Sequence, residues 1–284
     1  MRFPVKFNKA GWPAYVGRLL RGSEDPRVLL DETLDSKAFS RAVSVLKFGA
    51  TFKTTCGGRF PSTIAQLAAL EFTEPPVVLD VGASDGSTSL DVMASLAFGK
   101  YFCTDLNIEC RVARRGEWTY FFSSEGTPVV AASDSWVAYN DRAGSMPAFS
   151  AAASAIFRRA PHLSDARRIE LVNPALRRSL GERVLVRRYS ALDRWDGQPC
   201  DIVIAANILN RTYFDDQQLA RIVENLASAL RPKGWLAFID NRDIERSSLI
   251  SVTPQGVRVH LRIGAGADVE SLAMRTLQRT KLPA

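Results

Sequence analysis

"VVLDVGASDGSTSLDV", residues 77–92, decides the fold of this chain. Four of its first five side chains are apolar, the pattern of a parallel strand buried on both faces. Pro75-Pro76 breaks the chain just before it. Asp80 stands at the strand's end, Gly82 and Gly86 bracket Ala83-Ser84-Asp85, and a helical pattern follows around Leu90 to Leu96. A glycine at the carboxyl end of such a strand lets backbone approach a ligand with no Cβ in the way. Ligands of open α/β sheets sit in that crevice.

Further strands lie downstream. "YFCTDL" (101–106), "RVLVRRYS" (183–190), "CDIVIAAN" (200–207) and "GWLAFID" (234–240) are apolar runs of strand length. Between the last two, "DDQQLARIVENLASALRPKG" is an amphipathic helix. Ile222, Leu226 and Leu230 share a face, and Pro232-Lys233-Gly234 ends it. "SSLISVTPQGVRVHLRI" reads as two antiparallel strands about a turn at Pro254-Gln255-Gly256. Strands alternating with helices predict an α/β, Rossmann-like doubly wound sheet, mostly parallel, with an antiparallel C-terminal hairpin.

Two regions stand outside this pattern. Residues 1–75 read as a mostly helical N-terminal cap, with Trp12, Tyr15, Val16, Leu19 and Leu20 at helical spacing among Lys6, Lys9, Arg18 and Arg21. The domain then runs over 76–284, interrupted by an insertion at 111–175, because the gap before the third strand is too long for one crossover. In the insertion, "EWTYFFSSEGTPVVAASDSWVAYND" predicts small antiparallel strands turning at Glu125-Gly126, and "MPAFSAAASAIFRRAP" an apolar helix of about three turns. That helix, 146–157, and the basic N-terminus are the two places for a peripheral membrane or homodimer contact; packing within the chain is the other reading of both.

Composition narrows the partners. The chain has 284 residues, 46% hydrophobic and 24% charged, which is ample for a core. Its formal net charge of +7 favours anionic partners, or serves solubility alone. Four cysteines without a C-x-x-C pair, and only two histidines, argue against a metal site and for a reducing cytoplasm. No apolar run is long enough to span a bilayer, and no secretory signal opens the chain. The expected location is cytoplasmic, with a peripheral membrane position open.

The loop chemistry suits a dinucleotide poorly. Ser84 and Ser87 occupy the second and third glycine positions of G-x-G-x-x-G, and Asp80 and Asp85 repel a pyrophosphate. A ligand with a positive group suits the site better. "VLDVGASDGS" resembles the first motif of class I S-adenosylmethionine-dependent methyltransferases, [D/E]-x-G-x-G-x-G, with Ser84 at its middle glycine. "CDIVIAANIL" and "ALRPKGWLAFID" resemble that family's fourth strand and the approach to its fifth. The likeness covers 77–110 and 183–284. It implies S-adenosylmethionine as cofactor, with Asp80 near its methionine part and the backbone of Gly82, Ala83, Ser84 and Gly86 close to it. By the same likeness Asp105 binds the ribose hydroxyls, Leu106 lies beside it, and Ser190 and Ala191 form the turn near adenine. The family often has an Asp where Ser190 stands. Asn207, ending the fourth strand, lines cofactor and substrate.

Methyl transfer from a sulfonium is an in-line displacement, so the protein must align the reactants and exclude water. In "KTTCGGRFPST" (53–63), Arg59 or Thr54 is placed to reach the cofactor carboxylate; a plain surface loop is the alternative. Asn210, Arg211 and Tyr213 follow the fourth strand and are candidates to face substrate, though the first two also suit a helix start. Tyr213, His162 and His260 are the candidate bases. "AANIL" lacks the N-P-P-Y of amino-methylating nucleic-acid enzymes, so nucleic acid is less favoured as partner. The reading that follows is methylation of a small or amphiphilic acceptor through oxygen. A protein or RNA methyltransferase, and a non-catalytic cofactor-binding scaffold partnering another enzyme, are the alternatives.

Overall fold

The computed structural model describes residues 4–12, 22–49, 51–140, 147–241, 244–253 and 255–279. The chain divides into two units, each built from two separate segments: Met1–Cys56 with Asn107–Pro174, and Gly57–Leu106 with Ala175–Ala284. The first segment holds β1 (Val5–Phe7), α1 (Ser36–Val43), β2 (Lys47–Phe48) and β3 (Thr51–Phe52). Next come α2 (Pro61–Ala68), β4 (Val77–Val81), α3 (Ser87–Ser95) and β5 (Lys100–Asp105). The third segment carries β6 (Glu109–Arg115), β7 (Trp118–Phe122), β8 (Pro128–Ala132), β9 (Trp136–Tyr139), α4 (Pro147–Phe157) and β10 (Arg167–Glu170). The fourth continues with α5 (Pro174–Ser179), β11 (Val184–Arg188), β12 (Cys200–Ala206), α6 (Asp216–Ser228), β13 (Leu230–Asn241), β14 (Glu245–Thr253), β15 (Gly256–Ile263) and α7 (Glu270–Arg279).

The second unit is the α/β unit. Its seven-stranded sheet has the order β11-β5-β4-β12-β13-β14-β15. The first five strands are parallel; β14 runs antiparallel between β13 and β15. β4 is buried over its whole length, which explains its unbroken apolar run. Leu79, Val81, Val203, Ala205 and Phe238 form one core with Leu219, Ile222, Val223 and Leu226 of α6 and Leu272, Ala273 and Leu277 of α7.

In the first unit a six-stranded antiparallel sheet has the order β1-β9-β8-β7-β6-β10. Side chains alternate between its faces. Cys110, Val112, Phe121 and Val130 pack with Phe39, Ala42 and Val43 of α1, while Ala113, Tyr120, Ala131 and Ala138 pack with Phe157 of α4.

The N-terminal region contributes the short strands β1, β2 and β3 beside the longer helices α1 and α2; Tyr15, Val16, Arg18, Leu19, Leu20 and Arg21 lie outside the described residues. Two expectations change. The division falls after Cys56, not at 75/76, because β1 pairs with β9 and α1 packs on β6–β8, so the first segment joins the insertion. Helix α6 ends at Ser228, and Pro232-Lys233-Gly234 lies inside β13, where Lys233 takes φ 68. There β13 pairs with β12 through a register shift, so the three residues act as a bulge. Among the described residues no helix is long and apolar enough to cross a membrane.

Candidate active site

Strand order reverses at β4: the chain proceeds to β5 and β11 on one side, and to β12 and β13 on the other. Such a switch point opens a crevice at the carboxyl ends of the strands. The loop leaving β4 is left-handed at Gly82 (φ 70), Ser84 (φ 60) and Gly86 (φ 85). Ser84 therefore holds a conformation that favours glycine, at a cost of about 1 kcal/mol. Its N–H donates to Asp105 Oδ2 at 2.9 Å, and Ala83 N–H donates to the Thr104 carbonyl at 2.9 Å. Both bonds fix the loop to β5.

Packing within the protein also requires these two glycines. A Cβ on Gly82 would lie 2.2 Å from Ile208 Cγ2, and one on Gly86 2.2 Å from Leu176 Cδ2. Protein atoms fill the space that a missing side chain leaves. Packing against the loop after β12 and against α5 thus demands glycine here.

Three acids surround the loop. Asp80 is buried beneath α3, where Oδ2 accepts the Ser89 hydroxyl at 2.7 Å and the Tyr101 hydroxyl at 2.9 Å. Burial pushes its carboxyl up to about 6; the two hydroxyls oppose the shift, and the Asp105 charge adds to it. Asp85, also buried, accepts the Ser87 N–H and hydroxyl and so shapes the start of α3. Asp105 is half-buried at the end of β5, and Leu106 beside it is 48% exposed. Tyr189 N–H donates to the Asp105 carbonyl at 3.2 Å, which brings the turn at Ser190 and Ala191 to the same edge. Ser190 Oγ accepts the Leu192 N–H, and the Ala191 carbonyl is held by Asn225 of α6.

Asn207 leaves β12 with φ 59, and its Oδ1 accepts the Asn241 N–H at 2.7 Å. Asn241 Nδ2 donates to the Arg59 carbonyl at 2.7 Å, while Gly58 N–H donates to Asp91 of α3 at 2.7 Å. Residues 57–59 are thereby fastened to α3 and to the end of β13. The Arg59 guanidinium lies 5.1 Å from the Phe60 ring centre, and its Nε is buried without a hydrogen-bond partner. Leaving such a donor unpaired costs about 1–3 kcal/mol. A ligand carboxylate would satisfy it.

Thr54 and His162 belong to the first unit. His260 lies on β15, four strand spacings or roughly 19 Å from β4, with its ring edge-on to Trp235. Asn210 Oδ1 accepts the Thr212 N–H within the loop, and Arg211 pairs with Asp216 in the first turn of α6, which Asp215 caps. Tyr213 is 36% exposed on the same loop. No group of three or more His, Cys, Asp or Glu residues suited to a metal ion occurs among the described residues.

Reading the sequence missed Tyr101, Ser89, Asp91 and Asn241. Strand parity would have found Tyr101, which shares a sheet face with Asp80 because its partner in β4 is Val78. Nothing local marks Asn241.

No family model matches the chain, and no curated protein is significantly similar to it. Among solved structures, an O-methyltransferase family protein from Burkholderia thailandensis is 15% identical, over 74% of this chain and 42% of its own, with a TM-score of 0.35. The [4+2]-cyclase SpnF is 14% identical, over 63% and 43%, with a TM-score of 0.32. N-methyltransferase NodS from Bradyrhizobium japonicum WM9, solved with S-adenosyl-L-homocysteine, is 13% identical, over 64% and 60%, with a TM-score of 0.32. The chain thus spans 42% to 60% of the length of these proteins, and a likeness this distant says nothing of its own reaction.

Proposed function

We infer that the second unit binds S-adenosylmethionine and directs its methyl group to an oxygen of a small or amphiphilic acceptor. One observation carries the reading: at the switch point the glycine loop after β4 is tied through the Ser84 N–H to the half-buried carboxylate of Asp105 at the end of β5. A crevice so charged rejects pyrophosphate and favours a cofactor bearing a sulfonium and an ammonium. The unpaired Nε of Arg59 supplies the opposite charge that the cofactor's carboxylate needs.

When bound, the cofactor supplies a methyl group on a cationic sulfur. Asp105 accepts the ribose hydroxyls, and the exposed Leu106 offers an apolar face to the base. Arg59 meets the carboxylate. Asn207 and the loop through Tyr213 bound the acceptor side, and Tyr213 is the one candidate base on that loop.

Calorimetric titration with S-adenosylmethionine, and with NAD as control, tests the reading. Micromolar binding of the first and none of the second supports it. Binding of NAD alone removes it, and retained cofactor affinity with no turnover on any acceptor favours the scaffold.

A further inference from the structure

The positive charge of the chain is concentrated in one unit. Met1–Cys56 with Asn107–Pro174 holds 18 Lys and Arg against 12 Asp and Glu, a net +6 of the chain's +7. The α/β unit holds 19 against 18, a net +1. Basic character therefore belongs to the unit without the glycine loop.

In that unit, α4 has no charged side chain in its 11 residues and buries only Ala153 and Phe157. Pro147, Ala148, Phe149, Ala151, Ala152 and Ala155 are exposed. Ser154, its second hydroxyl, donates back to the Ser150 carbonyl, so the helix offers little to a hydrogen-bonding partner. Trp136 is 37% exposed on the same side of the sheet, two residues before Ala138, which packs toward α4. Its ring stacks on Phe7 with centres 4.7 Å apart.

Arginines flank this apolar surface. Arg158 and Arg159 follow α4, and Arg115 Nη1 donates to the Arg159 carbonyl. Arg111 and Arg115 share the α4 side of β6 with Ala113, and Arg168 stands directly opposite Arg111 on β10. Two arginines facing each other repel; Glu109 pairs with Arg168 and answers only one of them. Glu109, Glu117, Asp165 and Glu170 lie in the same region, so the five arginines leave it a local excess of one positive charge.

We propose that this surface is a docking site for an anionic lipid bilayer, with α4 lying in the plane of the interface and the arginines on the headgroups. An uncharged helix of about 16 Å is too short to span a bilayer but long enough to lie in it. Tryptophan is favoured at that boundary, and each basic side chain near an acidic leaflet adds about 1 kcal/mol. A nucleic acid would make no use of the apolar helix, so the charge pattern and the apolar face together favour lipid.

Co-sedimentation of the full chain with phosphatidylcholine vesicles, alone or with an equal part of phosphatidylglycerol, is the test. Expected is binding to the acidic vesicles that weakens as salt rises and drops about tenfold in Ala152→Asp. Melting of the variant should match the parent. If Ala152→Asp does not fold, Arg158→Glu with Arg159→Glu makes the same test through charge. Absence of binding to acidic vesicles overturns the proposal, as does equal binding by a folded variant. A solution dimer that Ala152→Asp splits overturns it in favour of a second copy. Poly-uridylate that competes fully with the vesicles overturns it in favour of nucleic acid.

Discussion

The Glu245 carboxylate takes both donors of Thr63, the backbone N–H at 2.6 Å and the hydroxyl at 2.5 Å, across 182 residues of sequence. Its second oxygen accepts the Ser62 N–H at 3.1 Å. Phe60 stands at the N-cap of α2 and makes no side-chain cap. A strand residue therefore caps the helix.

Glu245→Ala should destabilise the protein by about 1 kcal/mol, the usual loss for a cap, read from denaturant unfolding. Burial raises the Glu245 carboxyl, but the bonds from Thr63 and Ser62 outweigh it and hold it below its ordinary value. The folded state thus prefers the charged form. That stability is present above the unfolded value and is lost as pH falls through the folded one. Glu245→Gln should flatten the acid limb of the stability curve, and an unchanged limb would exclude this role.

Asp80 behaves oppositely. Its folded value of about 6 lies above the unfolded one, so the folded state binds the extra proton and stability falls as pH rises from about 4 to 6. Asp80→Asn keeps an acceptor for Ser89 and Tyr101 and should remove this slope. A cationic cofactor favours the charged Asp80, so its affinity should rise as pH rises through about 6 in the parent and change less in the variant. Calorimetry on both sides of that pH separates the two.

Arg59→Met should divide stability from binding. Removing an unpaired buried N–H leaves the unliganded protein equally stable or up to about 1 kcal/mol more so. Cofactor affinity should fall at the same time. Paired melting curves with and without S-adenosylmethionine check both signs, and a variant less stable without ligand contradicts the assignment.

Asp105→Ala should weaken cofactor binding by about tenfold or more, the value of a hydrogen bond to a charged acceptor. It also frees the Ser84 N–H. Unchanged affinity in a folded variant would remove Asp105 from the site.

The core of the α/β unit was legible because its strands are buried on both faces and show as apolar runs, as at Val77–Val81 and Cys200–Ala206. The loop was legible through Asp80, Gly82 and Gly86. What surrounds it was not. Asn241 reaches Arg59 over 182 residues, and Ile208 packs against the side of Gly82 where a Cβ would stand. Such pairings belong to tertiary structure and leave no local pattern. The first unit misled for a related reason. β1 has three half-buried residues on a sheet edge, too few to carry a periodic signal before β9 pairs with it. Pro232-Lys233-Gly234 signals a stop to a helix, yet the same residues also suit a bulge in a strand.

The chain passes between its units three times, at 56/57, 106/107 and 174/175. During synthesis this sets an order of events. β4 emerges early, but its neighbour β12 pairs Ala205 with Val81, 124 residues later. At about 5–20 residues per second the wait is roughly 6–25 seconds. Through that interval Val77–Val81 has β5 on one edge and nothing native on the other, an apolar strand open to wrong pairing. The first unit closes sooner, once β9 has reached β1. A nascent chain stalled after Pro174 should therefore hold one finished sheet and one half-built sheet, and chaperone demand should peak there.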